Sequence, residues 1–195
     1  DVHSFLKPLK GYYDSVYLVG NDWGARLALA YGIAYKGQSN GLVLISPRVT
    51  NDSESITGRM MAMTGAGKDS ASDSAASFDA SQHTSKAEQQ REMTNDPLRR
   101  KQLDENFVLQ SKRMGDFIKK YIKRLDQPLQ LFLAGDDKLI DHDKVIGLLE
   151  RGNQPSLDIQ MVSGAKHALP VESPDRVARD IHHWVRYQEL SRTGG

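Results

Sequence analysis

Ser15-Val16-Tyr17-Leu18-Val19-Gly20-Asn21-Asp22-Trp23-Gly24-Ala25-Arg26-Leu27-Ala28-Leu29-Ala30 is the stretch whose reading decides the fold. A β-branched and aromatic run is followed by Gly-x-Asp-x-Gly, and then by a helix of small residues. Strand, tight turn and helix in that order are the context a nucleophile elbow requires. Such an elbow strains the backbone of its central residue, and side chains at Gly20 and Gly24 are expected to collide with the turn. The central residue is Asp22, where Ser is usual. Taken alone, the same pattern also fits an ordinary strand-to-helix turn carrying a solvated Asp.

Working outward, residues 1–13 read as a helix with its exit. Val2, Phe5, Leu6 and Leu9 have helical spacing, Pro8 interrupts it and Gly11 ends it. Val16–Val19 reads as a strand covered on both faces, and Gly41–Pro47 as a second one stopped by its proline. With the helix between them they form a right-handed βαβ unit. Beyond Arg48 the composition changes. Met60, Met61 and Met63 could line an apolar ligand or fill gaps under a loop. Residues 68–86 are rich in Ser, Ala and Asp and read as a flexible insertion or mobile lid. Asn95-Asp96-Pro97 predicts a helix start, with Gly115 dividing the segment up to Leu125 into two helices. Lys112, Arg113, Lys119, Lys120, Lys123 and Arg124 are expected on its solvated face.

Regular order then resumes. Leu129–Ala134 and Leu157–Val162 read as strands, residues 143–151 as a helix between them, and Ser173-Pro174-Asp175 as the start of a closing helix. Val177, Ile181, Trp184 and Val185 stripe its inner face.

The chain has 195 residues, enough for one domain with a sizeable core. Lys and Arg number 26 against 25 Asp and Glu, so nothing favours nucleic acid or an anionic membrane surface. The absence of cysteine excludes disulfides, thiolate metal sites and a Cys nucleophile. No apolar run reaches the roughly 18 residues of a membrane span, and no signal peptide opens the chain. A cytoplasmic location without metal or cofactor is expected.

Asp22, Asp137 and His167 each lie just past the C-terminal end of a predicted parallel strand, the edge at which open α/β sheets bind ligands. Nucleophile, acid and base in that chain order match the α/β-hydrolase arrangement. Asp136 competes with Asp137 for the acid role, although Asp137 fits better. His3, His83, His182 and His183 lack such a context.

On these residues the chain resembles the α/β-hydrolase superfamily, and within it the monoacylglycerol lipase and lysophospholipase-like branch. The resemblance is carried by the elbow, by Gly41–Pro47, by Asn95-Asp96-Pro97-Leu98, by residues 131–141 ending Gly-Asp-Asp-Lys-Leu-Ile-Asp, and by Gly164-Ala165-Lys166-His167-Ala168-Leu169. It implies an α/β fold with a mostly parallel sheet, flanking helices and a helical cap insertion. Residues 1–47 would be core strands and elbow, 48–126 the cap, and 127–195 the C-terminal half of the core. It further implies Asp137 as triad acid, His167 as general base and the Trp23 N–H as an oxyanion donor. The family precedes its elbow with further strands. Such N-terminal strands are therefore expected to be missing, with a preceding segment or a dimer partner completing the sheet.

The substrate expected is small or lipid-like, and three readings remain. The body of the chain resembles carboxylic ester hydrolases. The Gly-x-Asp-Trp-Gly elbow resembles haloalkane dehalogenases and epoxide hydrolases, in which Asp forms an alkyl-enzyme ester and the indole N–H steadies a departing halide. The substituted nucleophile also fits a non-catalytic homologue that binds a ligand or partner.

Overall fold

Four strands order the molecule: Tyr17–Asn21 (β1), Gly41–Ile45 (β2), Leu129–Ala134 (β3) and Leu157–Val162 (β4). The computed structural model describes residues 2–49, 78–99 and 105–193. All neighbouring strands run parallel, in the order β1-β2-β3-β4. Asn21 pairs with Ile45, Ile45 with Phe132, and Ala134 with Val162. That register brings all four strand exits to one edge of the sheet, and it joins residues 1–47 and 127–195 in a single sheet.

Eight helices are seen among the described residues: Val2–Leu9 (α1), Trp23–Ala34 (α2), Ala80–His83 (α3), Ala87–Asn95 (α4), Glu105–Tyr121 (α5), His142–Leu149 (α6), Leu169–Glu172 (α7) and Pro174–Thr193 (α8). The alternation of strand side chains sorts the core into two layers. Leu42, Leu44, Leu129, Leu131 and Leu133 pack on Leu29 of α2, Ile118 of α5 and Leu149 of α6. On the opposite face Val43, Ile45, Phe132 and Ala134 meet Val177 and Trp184 of α8. Strands buried on both faces require apolar residues at nearly every position, which is why β2 reads as an unbroken apolar run and β3 as one interrupted only by the buried Gln130. The edge strand β1 is different, and Val19 remains 55% exposed.

Three expectations from the sequence are corrected. Gly115 does not divide a helix, because α5 runs unbroken through it and a single 3-10 turn, Ile122–Arg124, follows. Ser111, Gly115, Ile118 and Ile122 are all buried at spacings of three and four residues. The glycine therefore lies on the face of the helix that packs inward. Asn95-Asp96-Pro97 ends a helix rather than starting one: Asn95 closes α4, and Asp96 turns the chain by accepting the Leu98 N–H at 2.8 Å. The lid expected over 68–86 is ordered wherever it is described. Asp79 caps α3 through the Ser81 N–H, and Ala80 and Thr84 are buried. The methionine cluster and residues 68–77 lie outside the described residues. The basic residues of the α5 region are exposed, as expected.

Candidate active site

β1 delivers Asp22 into a turn that few side chains tolerate. Its φ of 52° and ψ of −111° fall where L residues carry steric strain. The Asp22 N–H still donates to Ile45 O at 2.9 Å, so the ladder continues one residue past the strand. A Cβ on Gly20 would come within 2.4 Å of Gly24 O and 2.5 Å of Ala25 Cα, so only glycine lets the helix turn back this closely. Gly24 departs from expectation. A Cβ there meets nothing within 4 Å among the described residues.

The exit of β3 carries Asp137. Asp137 Oδ1 accepts the Leu139 N–H at 2.8 Å, which leaves Oδ2 for His167 Nδ1, also at 2.8 Å. The Asp137 side chain is fully buried, while its competitor Asp136 is exposed. The exit of β4 carries His167, itself 2% exposed. With Nδ1 committed to Asp137, its Nε2 faces Asp22 Oδ1 at 3.5 Å.

Three features of the site went unnoticed in the sequence. Arg48, three residues beyond the end of β2, places its Nε 2.7 Å from Asp22 Oδ1. Neither Arg48 Nε nor His167 Nε2 is aimed at that oxygen well enough for a directed hydrogen bond, so both contacts are chiefly coulombic. Ser46, buried with a φ of 43°, donates its hydroxyl to His167 O at 2.7 Å. His83 lies against the His167 ring. The strand-exit argument that found Asp22 and Asp137 would have found Arg48 had it been applied to β2. No comparable signal marks His83.

The charges work on each other. Burial pushes the Asp22 carboxyl up, but the contact with His167 and the Arg48 guanidinium outweigh it and hold the group below its usual range. Burial alone would lower His167, yet its bond to Asp137, its contact with Asp22 and the charges of both carboxylates raise it above the ordinary histidine value. Trp23 opens α2, so its backbone N–H has no acceptor within the helix and sits at the positive end of the dipole. Its indole N–H is engaged elsewhere and donates to Ser111 Oγ at 3.2 Å, with Arg26 donating to the same oxygen at 2.9 Å. Three further histidines stand apart. His3 stacks on Tyr35, while His182 and His183 are exposed on α8. A groove of about 390 Å³ between β4 and α8 lies near the strand starts; His183 lines it, but Asp22, Asp137 and His167 do not. Among the described residues no group of His, Asp and Glu could hold a metal ion, and no helix is long and apolar enough to cross a membrane.

The family model for serine aminopeptidase, S33, matches residues 1–174. The chain belongs to this family. Serine aminopeptidase S33 members are hydrolytic α/β-hydrolases. The crystal structure of the monoacylglycerol lipase of Paleococcus ferrophilus is similar, with a TM-score of 0.76 at 16% identity over 96% of this chain and 73% of that one. A soluble variant of monoglyceride lipase from Saccharomyces cerevisiae, solved with a substrate analogue, gives 0.72 at 17% over 96% and 66%. A thermophilic esterase from Thermogutta terrifontis gives 0.62 at 17% over 96% and 70%. These likenesses confirm the α/β-hydrolase fold, and the chain spans about two thirds to three quarters of each of these relatives. No curated protein sequence matches it significantly.

Proposed function

We propose that the protein hydrolyses a carboxylic ester of a small or lipid-like substrate, with His167 as general base, Asp137 as its orienting acid and Asp22 in the nucleophile position. The observation that carries this reading is the 2.8 Å bond from His167 Nδ1 to Asp137, which leaves Nε2 as the basic nitrogen 3.5 Å from the elbow carboxylate. A water hydrogen-bonded to Nε2 beside Asp22 gives its proton to Nε2 as its oxygen adds to the ester carbonyl. The oxyanion that forms faces the Trp23 N–H at the start of α2. Collapse breaks the bond to the leaving oxygen, which takes the proton back from Nε2, and acid and alcohol depart. Asp22 stabilises the transient imidazolium. Its pairing with Arg48 lowers its own nucleophilicity, which favours water over the carboxylate as the attacking group. Fold likeness to monoacylglycerol lipases supports the lipid-like substrate, with residues 48–126 acting as the cap that admits it.

A second reading rests on one further observation. Asp22 Oδ1 is held by Arg48 and His167, while Oδ2 has no partner among the described residues. A carboxylate held that way can attack an sp³ carbon of a haloalkane or epoxide, and His167 then activates the water that cleaves the alkyl ester. The engagement of the Trp23 indole with Ser111 weighs against halide release. The deciding experiment is intact-mass spectrometry of the native protein and His167→Gln after incubation with a p-nitrophenyl ester, a 1-haloalkane or an epoxide. Ester turnover lost in His167→Gln, with no adduct on Asp22, is the expected result. An alkyl adduct on Asp22 would replace it with the second reading. Neither turnover nor adduct would leave a ligand-binding homologue.

A further inference from the structure

One imidazole faces the cluster from a separate part of the chain. His83 ends α3, and its ring centroid lies 5.3 Å from that of His167 with the planes at 87°. It is half-buried, and its ring nitrogens make no hydrogen bond with any described residue. Phe78 backs it at 5.0 Å, and the Arg99 guanidinium lies 4.8 Å from the centre of that phenyl ring.

What holds His83 there is specific. The Ala168 N–H, next to His167, donates to His83 O at 2.8 Å. Glu172 Oε1 accepts from Thr84 Oγ1 at 2.6 Å and from the Ser85 N–H at 2.9 Å, both just beyond His83. Its Oε2 accepts the N–H of Lys166, just before His167, at 3.2 Å. Lys166 Nζ returns the connection to Ser81 O at 2.6 Å. One carboxylate thus bonds to the chain on both sides of the imidazole pair. Burial pushes Glu172 up, but these donors hold it below the usual carboxylate range, so the clamp is charged near neutral pH.

We propose that Glu172 and His83 are positioning residues of the base: Glu172 clamps residues 81–86 onto the His167 loop, and the His83 ring, set perpendicular against the His167 imidazole, walls it on one side and keeps it directed at Asp22. The proposal rests on His167 being the general base. His83 meets His167 from the β4 exit, Arg48 from the β2 exit, and the carboxylates Asp22 and Asp137. Burial and the His167 and Arg48 charges lower it more than the two carboxylates raise it. As pH rises His83 therefore loses its proton before His167 does, leaving an interval in which only His167 is charged.

The test uses His83→Ala, His83→Phe and Glu172→Ala in the full chain, read by p-nitrophenyl ester kinetics and by imidazole NMR titration. His83→Ala and Glu172→Ala should each lower kcat by about 10-fold or more with KM nearly unchanged, the signature of a misplaced base. His83→Phe restores the wall and should recover most of kcat. Equal losses in His83→Phe and His83→Ala would overturn the proposal, since a ring nitrogen would then be acting on the substrate itself. A second arm needs no turnover: the His83 midpoint should rise in His167→Gln, where its cationic neighbour is gone. An unchanged midpoint would overturn the proposal by separating the rings. A raised midpoint in a protein that hydrolyses no ester would support the juxtaposition and dismiss only the ester reading.

Discussion

Two regions enclose the His167 imidazole, and they are built in opposite ways. The elbow side is held by backbone and by exclusion: Asp22 continues the sheet ladder, and Gly20 leaves no room for a methyl group. The opposite side, α3 with Thr84 and Ser85, is held by side chains converging on Glu172. Each construction concentrates its vulnerability in one residue. On the elbow side a single added carbon is intolerable, while on the other side the loss of a single carboxylate is. Shape rules one half of the site and charge the other.

The comparison breaks most forcefully at the residue both regions serve. His167→Ala should lower kcat/KM by about 10³-fold or more, close to 4 kcal/mol of transition-state stabilisation, in steady-state ester assays. Next, Gly20→Ala should destabilise the fold by about 1–3 kcal/mol, visible as a melting point several degrees lower, because the colliding atoms are backbone. On the charged side, Thr84→Val removes a buried hydroxyl from Glu172 and should cost about 1 kcal/mol in a denaturant titration. Gly24→Ala should have the smallest effect, a gain of up to about 1 kcal/mol, since the space is open and alanine favours the helix. Equal losses at Gly20 and Gly24 would erase the steric account of the elbow.

The pH dependence sharpens the same contrast. His167 is raised above 6.5, so its contribution to stability is complete below that value and is lost as pH rises through the folded midpoint. Asp22 is lowered below 3.8, so its contribution is present above that value and is lost as pH falls through its folded midpoint. Because the base must be neutral to accept a proton, kcat/KM should rise through a midpoint above 6.5. Asp22→Asn should move that midpoint downward, as followed by the His167 imidazole signal.

How much of this was legible in the sequence follows from which forces have local signatures. β3 was readable to the residue because burial on both faces writes a largely apolar run, and β4, a half-covered edge strand, because Leu157, Ile159 and Met161 alternate with Asp158 and Gln160. Asp22, Asp137 and His167 were readable because topology gathers strand exits at one edge. Gly115 misled because a glycine facing a neighbouring helix looks, in one dimension, like a helix breaker. Asn95-Asp96-Pro97 misled because an Asx turn uses the same residues to leave a helix as to enter one. The clamp was illegible for a deeper reason. Thr84 and Glu172 are 88 positions apart, and polar residues in a Ser- and Ala-rich stretch announce no partner until the chain has folded.

The ladder extension past the strands has a consequence for protection from solvent deuterium. The Asp22 N–H bonds to Ile45 O and the Ser46 N–H to Phe132 O, each at 2.9 Å, so these amides belong to the sheet although they border the reacting edge. Catalytic loops commonly open more readily than the core around them. Here the amides of residues 22 and 46 are expected to exchange as slowly as those of β2, opening only when the whole sheet comes apart.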